Sequence, residues 1–548
     1  YITQGRYTRD AIKGMIIKPE DRADPLARTL AKVGGRLLGY YVTFGEYDFL
    51  TVAEVSNDTQ MAAVLLAAGS SGGVTDLKTT VAMTSVEAKG AFAAASDLAP
   101  GVTRNDVSIT EQSTGFVYNS RASYNDKQDV PRYTERFSLS YVTGSHSIKA
   151  GFQNEPTRTS SLTRVNRDMN WAFNNGEPTQ ITQYATPYTQ EVRIKADMGI
   201  FAQDQWRVDR LTLNYGLRYD YFNGYIPEQH IAAPPSGWVG ARDFAPVSHV
   251  PQWSDLSPRL GAAYDLRGDG KTALKASIGK YVARTGTSVT SANNPVQTSV
   301  NSVTRNWTDS NRNYIPDCDL ANKGLNFECG PMSNQNFGGL RVTTRYADDV
   351  LHGYNVRDHN WDFSSEVQRE LWPSVSMTAG YYRNWYGNFR VTDNLLVSPE
   401  DYTPYCVNAP SDPYLPNGGG YQICGLYDIN PAKFGQVNNL VTRASKFGKQ
   451  KRVNNFFNVS VNARFPSGAM FSGGVDTGRT VNDTCFVVDS PQELLNCHVV
   501  TPFKEQTQIK LNGSYPLRAG FVVSGVFQNI PGPPQDLVWA APNSVIAP

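Results

Sequence analysis

Three groups of residues have the types and spacing to do chemistry. The first is the six cysteines of a 548-residue chain, Cys318, Cys329, Cys406, Cys424, Cys485 and Cys497. No C-x-x-C spacing occurs among them, and His498 beside Cys497 is the one nearby histidine, so a zinc cluster has little to build on. Their even number points instead to disulfides in an oxidising compartment. Proximity in the chain pairs Cys318 with Cys329, Cys406 with Cys424 and Cys485 with Cys497, one of several connectivities that six cysteines allow. The second group is Asp309, Asn311, Asn313, Asp317 and Asp319, whose oxygen side chains recur at alternate positions as they do in calcium loops. The run lacks the loop glycine and the closing glutamate of an EF-hand, so a solvated Asx turn braced by Cys318 is the stronger expectation and calcium the weaker. The third is the turn Gly45-Glu46-Tyr47-Asp48, where two carboxylates could act as a ligand or acid–base pair. Without a histidine, cysteine or Lys–Ser pairing nearby, nucleophilic catalysis has no machinery, and a tight turn at Gly45 with Tyr47 packed is the main expectation. An enzyme is not expected.

The elements that must position these groups fall into two unlike halves. Residues 1–97 contain no Cys, His or Trp, and their order reads strand 1–7, helix 9–33, strand 36–44, strand 47–55, helix 58–70, strand 74–84, with a short helix over 86–95. Asp58 stands before Met61, Val64, Leu65 and Ala68, and Gly34-Gly35 closes the first helix. A βαββαβ order implies a ferredoxin-like α+β domain. From about residue 110 the chain alternates apolar and polar residues, as in Leu211, Leu213, Tyr215, Leu217 and Tyr219, or Phe457, Val459 and Val461. Strands longer than usual, aromatics near their ends (Trp206, Trp372, Trp385), and turns of a few residues alternating with long loops favour a membrane β-barrel over a soluble sandwich. All six cysteines fall in the long loops, on one side.

Composition agrees. The chain is 18% charged, low for a soluble domain, and Lys+Arg 51 against Asp+Glu 50 leaves no basic footprint for nucleic acid. The longest apolar run, Met61–Ala68, is far too short for a membrane helix, and no signal peptide opens the chain.

With Tyr1-Ile2-Thr3 and Gly39-Tyr40-Tyr41, the run Phe44–Asp48 makes residues 1–97 resemble the GYD family, small ferredoxin-like proteins of poorly defined role. The strings Gly199–Val208, Leu211–Asp220, Ser257–Tyr264, Trp307–Asp309, Pro316–Leu320 and Ser524–Gly532 resemble the barrel of TonB-dependent outer-membrane receptors, most of all the Oar-like members. That resemblance implies uptake of a siderophore, oligosaccharide or peptide, with the outer-membrane lipid and the TonB complex as partners. It also implies a barrel of which about 12–13 of 22 strands are present, without plug, TonB box or closing strands. The expected layout is a GYD-like domain over 1–97, a linker or artificial junction over 98–112, and a barrel fragment over 113–548. Arg218, Asp220, Arg259, Asp265, Lys275 and Lys510 are expected to face the lumen. The chain reads as a fragment, either a genuine fusion or an artefactual join. The GYD-like part alone would be cytoplasmic, and the alternative function is a small-ligand or enzymatic GYD-like module beside a barrel remnant.

Overall fold

The computed structural model describes residues 1–89, 101–532 and 538–542. It divides into two compact units, Tyr1–Val102 and Thr103–Pro548.

In the first unit the order is β1 (Ile2–Tyr7), α1 (Arg9–Ile17), α2 (Ala23–Lys32), β2 (Arg36–Val42), β3 (Phe49–Glu54), α3 (Asp58–Ser70) and β4 (Val74–Thr80). The strands form one antiparallel sheet in the order β2-β3-β1-β4. The single helix expected over 9–33 is two helices. Pro19 forces Lys18 into extended backbone (φ −134°) and removes an amide that a continuous helix needs. Thr8 caps α1 by accepting from the Ala11 amide at 3.3 Å, and Asn57, rather than Asp58, caps α3 by accepting from Gln60 at 3.0 Å. Gly34, at φ +73°, follows α2 where a left-handed residue is required. Leu30, Ala53 and Val64 form the buried centre between helices and sheet. Of the expected trailing helix, residues 85–89 are helical and 90–95 lie outside the described residues.

The second unit is built on a sixteen-stranded sheet. Its long strands follow one another as an antiparallel meander: β5 (Glu135–Thr143), β6 (His146–Asn154), β7 (Tyr188–Val208), β8 (Leu211–Tyr225), β9 (Gln252–Asp265), β10 (Thr272–Val282), β11 (His359–Trp372), β12 (Val375–Gly387), β13 (Lys451–Arg464), β14 (Met470–Asp483), β15 (Gln508–Pro516) and β16 (Val522–Asn529). Short links at 144–145, 209–210, 266–271, 373–374, 465–469 and 517–521 alternate with long ones at 155–187, 226–251, 283–358, 388–450 and 484–507. Among the described residues β5 pairs only with β6 and β16 only with β15, so the sheet is open along both edges.

Partners across an antiparallel ladder project from the same face. One face therefore carries Leu217, Leu260, Ile278, Phe363, Tyr381, Phe457, Val459 and Val475. These residues are not packed away in a core: Leu260 is 55% exposed, Leu217 47% and Val459 47%. The opposite face carries Lys149, Gln203, Asn214, Arg218, Arg259, Ser277, Asp362 and Asp476.

The packed core of this unit lies in the long links and the strand ends that meet them. Val192, Ile194, Phe222, Ile226, Trp253, Val289 and Leu351 form one cluster, and Val107, Met169, Phe173, Ile181, Trp307 and Cys329 another. The start of the expected barrel is corrected here. The first long strand begins at Glu135, whereas 108–111 and 116–118 join strands 169–174, 177–184 and 302–306 in a separate five-stranded sheet. Residues 108–111 run parallel to their partner in that sheet, so they are no part of the meander. Of the expected junction, residues 98–100 lie outside the described residues.

Candidate functional site

The polar face gathers charge where β8, β9 and β10 meet the long link 283–358. Arg218 donates from Nε to Asp220 Oδ1 at 2.7 Å. Its guanidinium lies over Gly199, where a Cβ would stand 1.9 Å from Nη2 and push the arginine's end aside. The Arg259 guanidinium sits 4.6 Å over the Tyr281 ring. Behind them Arg357, 5% exposed, donates from Nε to the wholly buried Asp255 at 2.8 Å, and its guanidinium stands 5.8 Å from both the Phe222 and the Trp253 ring. Lys280 donates to Asn355 Oδ1 at 2.8 Å, and that oxygen also accepts from the Leu256 amide. Arg218, Arg259 and Arg357 border a cavity of about 190 Å³, where Arg284 joins them against Asp197 and Asp220. Ser257 Oγ and Arg357 Nη2, on two lining residues, are buried without a protein partner, as is Asp255 Oδ1 behind Arg357. Such an arrangement can hold an anionic or strongly hydrogen-bonding group and orient it.

The expected lumen residues divide accordingly. Arg218, Asp220 and Arg259 come together. Asp265, Lys275 and Lys510 share their face by register but stand apart from the cavity. The Asp265 carboxylate accepts from the Gly268 and Gly270 amides and closes the 266–271 turn. Lys275 donates to Gln368 at 2.7 Å. Sequence reasoning did not find Asp255, Arg284 or Arg357. Asp255 occupies a polar position of an alternating strand, a signal that was available. Arg284 and Arg357 lie in a long link, where no period marks a side chain's direction.

Three disulfides join Cys318 to Cys329, Cys406 to Cys424 and Cys485 to Cys497. All lie within the long links. Cys406 and Cys424 are in strands after all, in the hairpin 402–408/422–429 carried by the link 388–450. In the Asx run, Asp309 accepts from the amides of Asn313 (3.2 Å) and Tyr314 (2.9 Å), and Asn311 and Asn313 both donate to Asp317 Oδ2. Asp319 accepts from the Ala321 amide at 2.9 Å. Glu328, from beyond the run, accepts from the Ser310 and Asp317 amides. The carboxylates thus fold the loop around its own backbone, and among the described residues no group of three acidic, His or Cys side chains converges as a metal site would.

In the first unit the Gly45–Asp48 turn is a brace. Asp48 accepts from the Tyr7 amide at 2.9 Å, while the Glu46 carbonyl accepts from Arg6 at 2.8 Å. The two acidic residues serve different partners and do not form a pair. Tyr47 stacks beneath the Arg6 guanidinium at 6.0 Å.

Comparison with known proteins agrees with both halves of this description. The GYD domain model matches residues 1–92, and the outer membrane beta barrel domain model matches residues 57–445. No curated protein matches. Among solved structures, the outer membrane transporter YddB from Escherichia coli is similar at 11% identity and TM-score 0.40, over 77% of this chain and 46% of its own. The siderophore receptor PiuA from Acinetobacter baumannii is similar at 9% identity and TM-score 0.33, over 71% and 44%. BauA, the ferric preacinetobactin receptor from the same organism, is similar at 9% identity and TM-score 0.27, over 73% and 52%. The chain spans about half the length of these structures. With an exposed apolar sheet face, a polar face behind it and a family match running from 57 to 445, the chain belongs to the outer membrane beta barrel domain family.

Proposed function

We propose that residues 113–548 are part of a TonB-dependent outer-membrane receptor that takes up a ligand of the siderophore, oligosaccharide or peptide class. The observation that carries this reading is the two-faced meander: apolar side chains stay exposed on one face of β7 to β11, β13 and β14 while charge and amides line the other. An exposed face of that extent has lipid as its solvent, and a polar face of that extent lines a water-filled path. The disulfide-braced links at one end are the ligand-capturing surface, and the arginine-rich cavity favours a ligand bearing negative charge. The first unit, with its four-stranded sheet and helices α1 to α3, is read as a ferredoxin-like domain carried by the same chain.

Membrane fractionation of the exported chain tests the proposal. It is expected in the outer-membrane fraction, resistant to urea extraction, and energised uptake of an anionic ferric siderophore should stop when a protonophore collapses the inner-membrane gradient. A urea-soluble product, or uptake indifferent to the protonophore, would overturn it.

A further inference from the structure

The first unit holds a part-open cavity of about 270 Å³ between its sheet and its helices. Natural cores close voids of this size, and even smaller apolar ones accept small organic molecules. Phe49, Thr51 and Ala53 of β3 form its floor, Leu26 and Leu30 of α2 one wall, and Met61, Val64 and Ala68 of α3 another. The chamber is largely apolar; besides the hydroxyls of Thr3, Thr29, Thr51 and Ser71, its polar groups are Tyr7, Tyr40 and Arg22. Tyr7 Oη and Tyr40 Oη lie 2.6 Å apart, so one hydroxyl hydrogen serves the other phenol and the second has no acceptor among the described residues. Arg22, which also lines the cavity, has a buried Nε with no protein partner, its Nη1 reaching Glu20 at 3.3 Å. Burial and the Tyr7 bond raise the Tyr40 pKa, so its hydroxyl remains a donor throughout the neutral range.

We propose that this cavity binds a small carboxylate with an apolar body, the carboxylate accepting from Arg22 Nε and the Tyr7–Tyr40 pair and the apolar part filling the space between β3 and α3. An apolar chamber with a few convergent donors is the usual form of a small-molecule site. A buried guanidinium donor left unpaired is best satisfied by an ionised acceptor. The inference is independent of the barrel's role and rests on the first unit alone.

Hydrogen-exchange mass spectrometry of the whole chain with octanoate, octanol and octylammonium as probes tests it. Octanoate is expected to slow exchange in peptides covering α2, β3 and α3, octanol to do so more weakly, and octylammonium not at all. Arg22→Gln should weaken octanoate about tenfold or more and leave octanol unchanged. Ala68→Phe, which fills the chamber without touching the donors, should abolish protection by both with secondary structure intact by circular dichroism. Octanol matching octanoate, or Arg22→Gln leaving octanoate unaltered, would overturn the carboxylate assignment. Protection by none of the three, or protection surviving in Ala68→Phe, would overturn the site.

Discussion

At the residue scale, the most exacting pair is Arg357 with Asp255. Both are buried, each keeps one polar atom without a partner, and their bond joins a long link to β9. Removing one partner leaves an uncompensated charge, so Arg357→Ala is expected to destabilise the second unit by about 3–5 kcal/mol. The double replacement Arg357→Met with Asp255→Leu should recover most of that loss. Denaturant titration of the three variants decides it, and equal losses for single and double variants would show that the pair itself is not what matters. Glu111 gives a pH-dependent counterpart outside the membrane strands. Its carboxylate accepts from Ser113 and from the Gly176 and Asn175 amides, which hold its pKa down at about 2. A folded value below the unfolded one of about 4.3 means its contribution is complete above the unfolded pKa and disappears as pH falls through the folded one. The 108–118 and 169–177 segments should therefore keep their amide protection at pH 4 and lose it near pH 2. The variant Glu111→Gln should lack this acid transition.

The meander is the element most legible in the sequence. Period-two alternation puts Arg218, Asp220, Arg259, Asp265, Lys275 and Lys510 on one face, but the gathering of Arg218, Asp220 and Arg259 depends on where the long link 283–358 folds back. Alternation could not show that Asp265 spends its carboxylate on a turn, because that depends on two glycine amides. It also failed over 108–118, where 116–118 fold back on 109–111 and 108–111 pair in parallel with 170–173. Pro19, which divides the helix expected over 9–33, is a break that the sequence itself carries. The two-faced reading makes a quantitative demand on the apolar side. Leu260→Arg near mid-strand should cost about 2–4 kcal/mol when the chain folds into lipid vesicles, and Lys275→Ala, from the polar face, close to nothing. Equal costs at the two positions would contradict the assignment of faces.

For the whole molecule, the two units differ in what holds them together. Residues 1–102 contain no cysteine, and every disulfide lies in the long links of the second unit. A reducing agent should therefore lower the melting transition of the link assembly and leave that of the first unit where it was. Cys318–Cys329 alone is worth about 2–4 kcal/mol for a short closed loop beside a buried cluster. Differential scanning calorimetry with and without reductant reads both transitions. The position of the packed clusters has a calorimetric consequence of its own. Apolar groups shielded from water raise the heat capacity when they become hydrated on unfolding. In the second unit those groups belong to the links and the strand ends that meet them, whereas the mid-strand apolar side chains stay on the outside. The heat-capacity increment of a vesicle-embedded chain should thus be that of the link assembly, far below what its length would suggest, and the lipid-bathed strands should contribute almost nothing until they are drawn out of the bilayer.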